Sequence, residues 1–303
     1  MKVIDGPTLA AKLTYPIAID ALERAFDTLD PGREPLRTSM ETSSGTLLLM
    51  PATSSEASGV KLVTITPENR NIGLPTIQAT YVLIDGRSQA ILAVLDGAAL
   101  TAIRTSAVSA LATTYLARPD ARRLVVFGAG VQATAHVEAI RSVRGIAEVV
   151  VVSRSSAPAE RLVADLVLDN VDARVGVPSD VVMADIVCTC TTSQDPVFDG
   201  SWIAEGAHVN AVGTYTTDAH ELDIAAVRTA GIVVETREAA AAEAGDLVMA
   251  FGDQTAQRID MTLQDLVRGR RLEGHHHTVF KSVGLAFEDL AVATSLFTTD
   301  PAG

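Results

Sequence analysis

An α/β protein of two domains is predicted by three features of the chain. Four apolar residues, Leu124–Phe127, run into a glycine-rich turn and then a helix-compatible segment. From Arg123 onward strand-like and helix-like stretches alternate, the pattern of an open parallel sheet with covering helices. Before about residue 118 they do not alternate, and strand follows strand. The expected organisation is a Rossmann-type domain over 119–281 and an α+β domain formed by 1–118 with 282–303.

In the first domain a helix is expected near Thr8 and another near Tyr15-Pro16, where proline suits a first turn. Ile17, Leu22, Phe26 and Leu29 give the second one an apolar stripe. TLLLMPA, GVKLVTITPEN, LPTIQATYVLIDG and QAILAVLDG then read as strands separated by turn signals, which suggests a mixed or antiparallel sheet. Residues 98–117, rich in Ala, Ser and Thr, read as a long helix closed by Pro119-Asp120. The last segment, KSVGLAFEDLAVATSLF, has near-helical apolar spacing and is expected to complete this domain, whose sheet otherwise has few helices to cover it.

In the second domain Gly128-Ala129-Gly130-Val131-Gln132-Ala133 is a G-x-G-x-x-A turn between strand and helix, a dinucleotide-binding fingerprint. Gly128 permits the tight turn, Gly130 lets backbone approach a pyrophosphate, and small Ala133 allows close helix–strand packing. The first helix amides, around Val131 and Gln132, offer N–H groups and the positive end of the helix dipole to phosphates. A turn that binds nothing is the alternative, and the repeated strand–helix pattern downstream favours the cofactor. The second strand, EVVVV, ends in Ser153-Arg154-Ser155-Ser156 with no acid to take the ribose 2′-hydroxyl of NAD. An arginine among hydroxyls suits a 2′-phosphate, so NADP is preferred; an Arg154 stacked on adenine or facing water leaves NAD possible. The fourth strand ends in Thr189, Thr191 and Thr192 and the fifth runs past Val212; Thr191, Thr192 and the backbone at Val212 are candidate cofactor contacts. A helix is expected near Glu221, with Asp218 as its cap.

Composition narrows the class. Of 303 residues 48% are hydrophobic and 20% charged, enough for a sizeable core. The formal net charge of −13 argues against nucleic acid as a partner. Arg268–Arg271 reads as a solvated helix end, and Cys188 and Cys190 as buried free thiols rather than zinc ligands. His275-His276-His277 reads as a polar loop, since three adjacent residues cannot all face one ion, and no metal is expected. The opening residues lack a signal peptide's apolar region and no run reaches membrane-spanning length, so a cytoplasmic protein is expected.

Three cations of the first domain stand out: Arg37 after a proline, Lys61 inside an apolar strand and Arg104 inside the small-residue helix. A buried cation needs a partner or a ligand. Each alone is readily half of a structural ion pair; three facing a nucleotide domain suit a substrate carboxylate, with Thr105 then turned to the cofactor phosphates. The runs GVKLVTITPEN, GLPT, LDGAALTAIRTSAVSALA, VVFGAGVQA and VFKSVGLAFEDLA, in this order, resemble the ornithine cyclodeaminase/μ-crystallin family across nearly the whole chain.

The resemblance implies a homodimer in which the first domain makes the dimer contact and most of the substrate site. It implies that Lys61, Arg104 and Arg37 hold the carboxylate of an amino or imino acid. Thr105 matches a cofactor-phosphate contact and Ser282 lies in a motif close to the nicotinamide. Family members reduce cyclic ketimines such as pyrroline-2-carboxylate, act as amino-acid dehydrogenases, or cyclise ornithine or lysine with loss of ammonia. Cyclodeaminases carry an aspartate in a G-G-D stretch after the fifth strand; Gly213-Thr214-Tyr215 stands there in this chain. That departure points to an NAD(P)H-dependent imine reductase or dehydrogenase, with cyclodeaminase activity and a non-enzymatic NADPH-dependent ligand binder as alternatives.

Overall fold

A computed structural model describes residues 1–33 and 35–298. The chain divides into two compact units, Met1–Arg104 with the segment from Leu285 onward, and Thr105–Gly284.

The first unit runs β1 (Lys2–Ile4), α1 (Gly6–Lys12), α2 (Tyr15–Thr28), β2 (Thr38–Thr42), β3 (Gly45–Thr53), β4 (Ala57–Ile65), β5 (Ile77–Asp85) and β6 (Ile91–Asp96). Its six-stranded sheet has the order β1-β6-β5-β4-β3-β2. β1 joins β6 in parallel and all other neighbours are antiparallel. The expected helix near Thr8 starts two residues earlier, at Gly6, because Asp5 is its cap and accepts from the Thr8 amide at 3.0 Å. On α2 the buried face is Ala18, Ala21, Leu22, Ala25 and Phe26, while Ile17 and Leu29 are only half-buried. Alanines, which a stripe of large apolar residues overlooks, complete that face. The sequence pattern predicts neither β1 nor β2; all five β2 side chains are exposed, so no alternation marks that strand.

α3 (Gly97–Leu116) begins in the first unit and ends in the second. Asp96 caps it, accepting from the Ala98 and Ala99 amides at 3.0 Å each. The second unit continues with β7 (Arg123–Phe127), α4 (Val131–Val143), β8 (Glu148–Val152), α5 (Ser156–Leu168), β9 (Ala173–Val175), β10 (Ile186–Thr189) and β11 (His208–Ala211). There follow α6 (Ile224–Arg228), β12 (Ala230–Val234), α7 (Arg237–Glu243), α8 (Gly245–Phe251), α9 (Thr255–Arg258), β13 (Met261–Thr262), α10 (Leu263–Val267) and β14 (His277–Lys281). All eight strands are parallel, in the order β9-β8-β7-β10-β11-β14-β12-β13. The first five of these reproduce the strand order 3-2-1-4-5 of a doubly wound dinucleotide-binding sheet.

β14 is the departure: it inserts between β11 and β12. It opens on His277, which is buried and whose Nε2 lies 2.8 Å from the Ala226 carbonyl, so this histidine belongs to the sheet and not to a polar loop. α6 also starts later than expected. Asp223, not Asp218, caps it, accepting from the Ala226 amide at 2.8 Å. Asp218 is exposed.

The terminal helix α11 (Ala286–Thr298) lies in the first unit, packed on α2 and on β3–β5. Phe26 and Phe287 meet there edge to face, ring centres 4.9 Å apart. Among the described residues no helix is long and apolar enough to cross a membrane.

Candidate active site

The first unit buries a cluster of opposite charges. Lys61 sits mid-strand on β4, in register with Met50 and Tyr81, and its side chain is 2% exposed. Arg104 enters from α3. Glu288 and Asp289 lie in the first turn of α11, where the helix dipole favours acids. The Lys61 ammonium donates to Asp289 Oδ2 at 2.8 Å, and Arg104 Nη1 donates to Glu288 Oε2 at 2.8 Å. Arg104 Nε stands 3.3 Å from Asp289 Oδ1, so Asp289 bridges the two cations. Burial draws the Lys61 amine down to about 8; Asp289 pulls it back up, and Arg104 and Arg37 push it down. Arg37, half-buried just ahead of β2, is therefore part of the same electrostatic neighbourhood. The three cations singled out in the sequence are brought together.

In the second unit the strand ends line up. Val152, Phe127, Thr189, Ala211, Lys281 and Val234 share one row of the sheet. The next residues, Ser153, Gly128, Cys190, Val212, Ser282 and Glu235, therefore occupy its carboxyl edge, where open α/β sheets bind ligands. Gly128 has φ +106°, and a Cβ there would lie 2.6 Å from the Cys190 carbonyl oxygen; both the turn and the close approach demand glycine. A Cβ on Gly130 would meet no protein atom. Internal packing does not call for glycine at that position, whereas a group lying against the backbone would. Val131 is exposed and Gln132 half-buried at the start of α4, whose N-terminus has no side-chain cap. Thr105 is buried with its hydroxyl oxygen lacking a hydrogen-bond partner. An open glycine and an orphaned hydroxyl both fit a phosphate-bearing dinucleotide.

The remaining candidates differ in how tightly they are held. Arg154 and Thr192 are exposed and Ser153 is half-buried. Thr191 is anchored: its amide and hydroxyl each donate to Glu221 Oε1 at 2.7 Å. Val212 donates its amide to the Thr189 carbonyl at 3.1 Å. Ser282 is buried and its hydroxyl donates to Glu235 Oε1 at 2.5 Å.

Sequence reasoning missed the acids. Glu288, Asp289, Glu221, Glu235 and Asp246 are all buried, as is Lys281, which pairs with Asp246 at 2.8 Å. Burial pushes the Glu221 carboxyl up, against the pull of Lys281 and Thr191. Burial acts the same way on Asp246, but Lys281 and two backbone amides outweigh it and leave that carboxyl low. The signal was available: an acid inside an apolar run, as in FEDLA or GDLVMA, calls for a partner as much as a buried lysine does.

The sequence matches the Ornithine cyclodeaminase/mu-crystallin family over residues 10–299. The chain belongs to this family. It is 36% identical over 291 residues to ketimine reductase mu-crystallin of Mus musculus, covering 93% of this chain and 91% of that one. With a Delta(1)-pyrroline-2-carboxylate reductase of Bacillus cereus it shares 37% identity over 87% of this chain and 85% of the relative. Among solved structures, Thermococcus litoralis Delta(1)-pyrroline-2-carboxylate reductase in complex with NADH and L-proline superposes with a TM-score of 0.91 at 34% identity, covering 98% of this chain and 97% of that one. An archaeal alanine dehydrogenase dimer with bound NAD gives a TM-score of 0.91 at 29% identity, covering 98% and 95%.

For this family member the buried charges can be tested as a unit. Lys61→Met and Asp289→Asn should each cost about 3–5 kcal/mol, since each leaves the buried cluster one charge out of balance. The double variant should cost clearly less than the sum in denaturant unfolding. Additive losses would mean that the two groups are not coupled.

Proposed function

We propose that this protein is an NAD(P)H-dependent reductase of small cyclic α-imino acids, of which pyrroline-2-carboxylate is the model substrate. The observation that carries the reading is the burial of Lys61 and Arg104 against one pair of acids, in a chain more than a third identical to ketimine and pyrroline-2-carboxylate reductases. Lys61, Arg104 and Arg37 hold the substrate carboxylate, Arg104 through its planar fork and Lys61 as a point charge. Glu288 and Asp289 fix both cations in place, so that their geometry is set before substrate arrives.

When bound, a reduced nicotinamide would supply the hydride for the C=N carbon. The nitrogen must gain a proton as the carbon gains the hydride, and Lys61, with its amine near 8, or a water it holds is the donor. On the nucleotide side Gly128, Gly130 and the amides at Val131 and Gln132 take the pyrophosphate, with Thr105 giving its hydroxyl to a phosphate. Thr191, Thr192, Val212 and Ser282 lie at the strand ends toward the nicotinamide half. Ser153 and exposed Arg154, with no acid at the β8 tip, favour NADP over NAD.

The chain is also proposed to work as a homodimer. Val3, Val94, Val82, Val60 and Pro51 form one register row across five strands of the first sheet. They alternate with the inward-facing Lys61, Tyr81 and Leu95, so the row crosses the outer face as an apolar stripe. The archaeal alanine dehydrogenase is itself a dimer.

A panel of cyclic and acyclic imino acids against NADPH and NADH, followed by absorbance, tests the activity. Pyrroline-2-carboxylate should be reduced with one NADPH consumed per imine, and Arg104→Ala should raise KM and lower kcat/KM by about a hundredfold or more. Ammonia release from ornithine or lysine without net change in cofactor would instead mark a cyclodeaminase, and cofactor binding without any turnover a ligand binder. For the dimer, sedimentation should give twice the chain mass for the wild type and the single-chain mass for Val82→Asp; a monomeric wild type contradicts the assembly.

A further inference from the structure

The β10–β11 ladder ends at Thr189 and Ala211. The Val212 amide still reaches the Thr189 carbonyl at 3.1 Å, one residue past the last laddered pair. The amides of Thr191 and Gly213 have no strand to pair with there. Both end on one side chain, Glu221, from the loop between β11 and α6.

The Glu221 carboxylate takes four hydrogen bonds. Oε1 accepts from the Thr191 amide and hydroxyl at 2.7 Å each. Oε2 accepts from the Gly213 amide at 2.7 Å and the Thr189 hydroxyl at 2.8 Å. Gly213 is a close-approach glycine: a Cβ on it would lie 2.1 Å from the Thr191 carbonyl oxygen and 2.5 Å from Glu221 Oε1. Glu221 is itself held from behind. Its amide and that of Leu222 donate to Asp246 Oδ1 at 2.7 and 2.8 Å. The other oxygen of Asp246 takes the Lys281 ammonium at 2.8 Å and the Thr214 hydroxyl at 3.1 Å, and Lys281 also donates to the Thr214 carbonyl at 2.7 Å. A buried chain of charges from β14 through α8 therefore ends in a carboxylate that ties the two strand tips together.

We propose that Glu221 is a positioning residue for the nicotinamide-bearing half of the dinucleotide, acting through the strand-end turns at Thr191 and Gly213. This rests on the nicotinamide reading above. In a doubly wound sheet the dinucleotide spans two mononucleotide-binding halves. Here β7–β9 form the first, with Arg154 at the tip of β8, and β10 and β11 open the second. The hydrogen bonds of the Glu221 carboxylate go to the second. Four donors converge on it, so an acceptor at both oxygens is required; an amide of the same shape would turn an NH₂ against N–H and O–H donors.

The test compares the whole cofactor with its adenosine half. Affinities of wild type and Glu221→Gln are measured by calorimetry for NADPH and for adenosine 2′,5′-bisphosphate, which lacks the nicotinamide nucleotide (NADH and AMP if NAD binds tighter). Glu221→Gln should weaken the nicotinamide-bearing ligand about tenfold, the loss of a charge-assisted bond, and leave the nicotinamide-free ligand within about twofold. Equal weakening of both ligands, or of neither, overturns the proposal. If Glu221→Gln does not fold, Thr189→Val, which deletes one donor to the same carboxylate, must show the same split at about threefold; no split overturns it. A wild type that binds neither ligand would bring down the nicotinamide reading itself, a result distinct from the other outcomes.

Discussion

A lysine and an arginine buried against two adjacent acids is the interaction on which the first unit's proposed chemistry depends. Leaving either cation inside without a counter-charge would be strongly destabilising, and Glu288 and Asp289 supply that counter-charge. The constraint is also topological. The acids arrive on α11, nearly at the end of the described chain, whereas Lys61 is on β4 and Arg104 on α3. The site therefore exists only when the terminal helix has returned to the first unit, and the Phe26–Phe287 contact is part of what seats it.

The second unit solves a related problem by the same means. At the carboxyl edge of its sheet, backbone amides run out of strand partners, and buried carboxylates take their place. Glu221 receives the ends of β10 and β11. Glu235 receives the Ser282 hydroxyl at 2.5 Å and the Val283 and Gly284 amides at 3.3 and 3.1 Å. The segment from Lys281 to Asp289 thus contributes to both arrangements: its first residues brace the carboxyl edge of the second unit's sheet and its last ones balance Lys61 and Arg104 in the first unit. Rigid elements placed by packing, with polar groups fixed by second partners, are what a preorganised site requires.

Much of this was legible in the residues. Gly128 declared the turn because few other residues tolerate its positive φ, Gly130 because it leaves the backbone open, and Lys61 and Arg104 stood out as cations in apolar surroundings. β2 was invisible because an exposed edge strand has no inner face to write an alternating pattern. β14 was hidden by its polar opening at His277, whose burial depends on a partner, Ala226, far away in sequence. The acids were overlooked for a different reason: Glu221, Asp246, Glu288 and Asp289 sit beside turns or at helix starts, where carboxylates are commonplace. Only the three-dimensional arrangement shows which of them are dehydrated. Local patterns disclose elements and glycine turns; long-range charge pairing stays outside their reach.

Lys61 stands at the centre of the proposed chemistry as an ammonium paired with Asp289, its pKa drawn down by burial to about 8. Below that value the group is charged and above it neutral, so an incoming carboxylate stabilises the protonated form and anion affinity falls as pH rises through about 8. The direct measurement is calorimetric titration of the cofactor-loaded protein with pyrrole-2-carboxylate, a flat carboxylate that offers no imine to reduce. It is carried out at pH near 8 in two buffers of different ionisation enthalpy. Net proton uptake on binding, abolished in Lys61→Met, is the predicted result. Binding without proton uptake, or uptake unchanged in Lys61→Met, would contradict the claim that this buried ammonium grips the substrate.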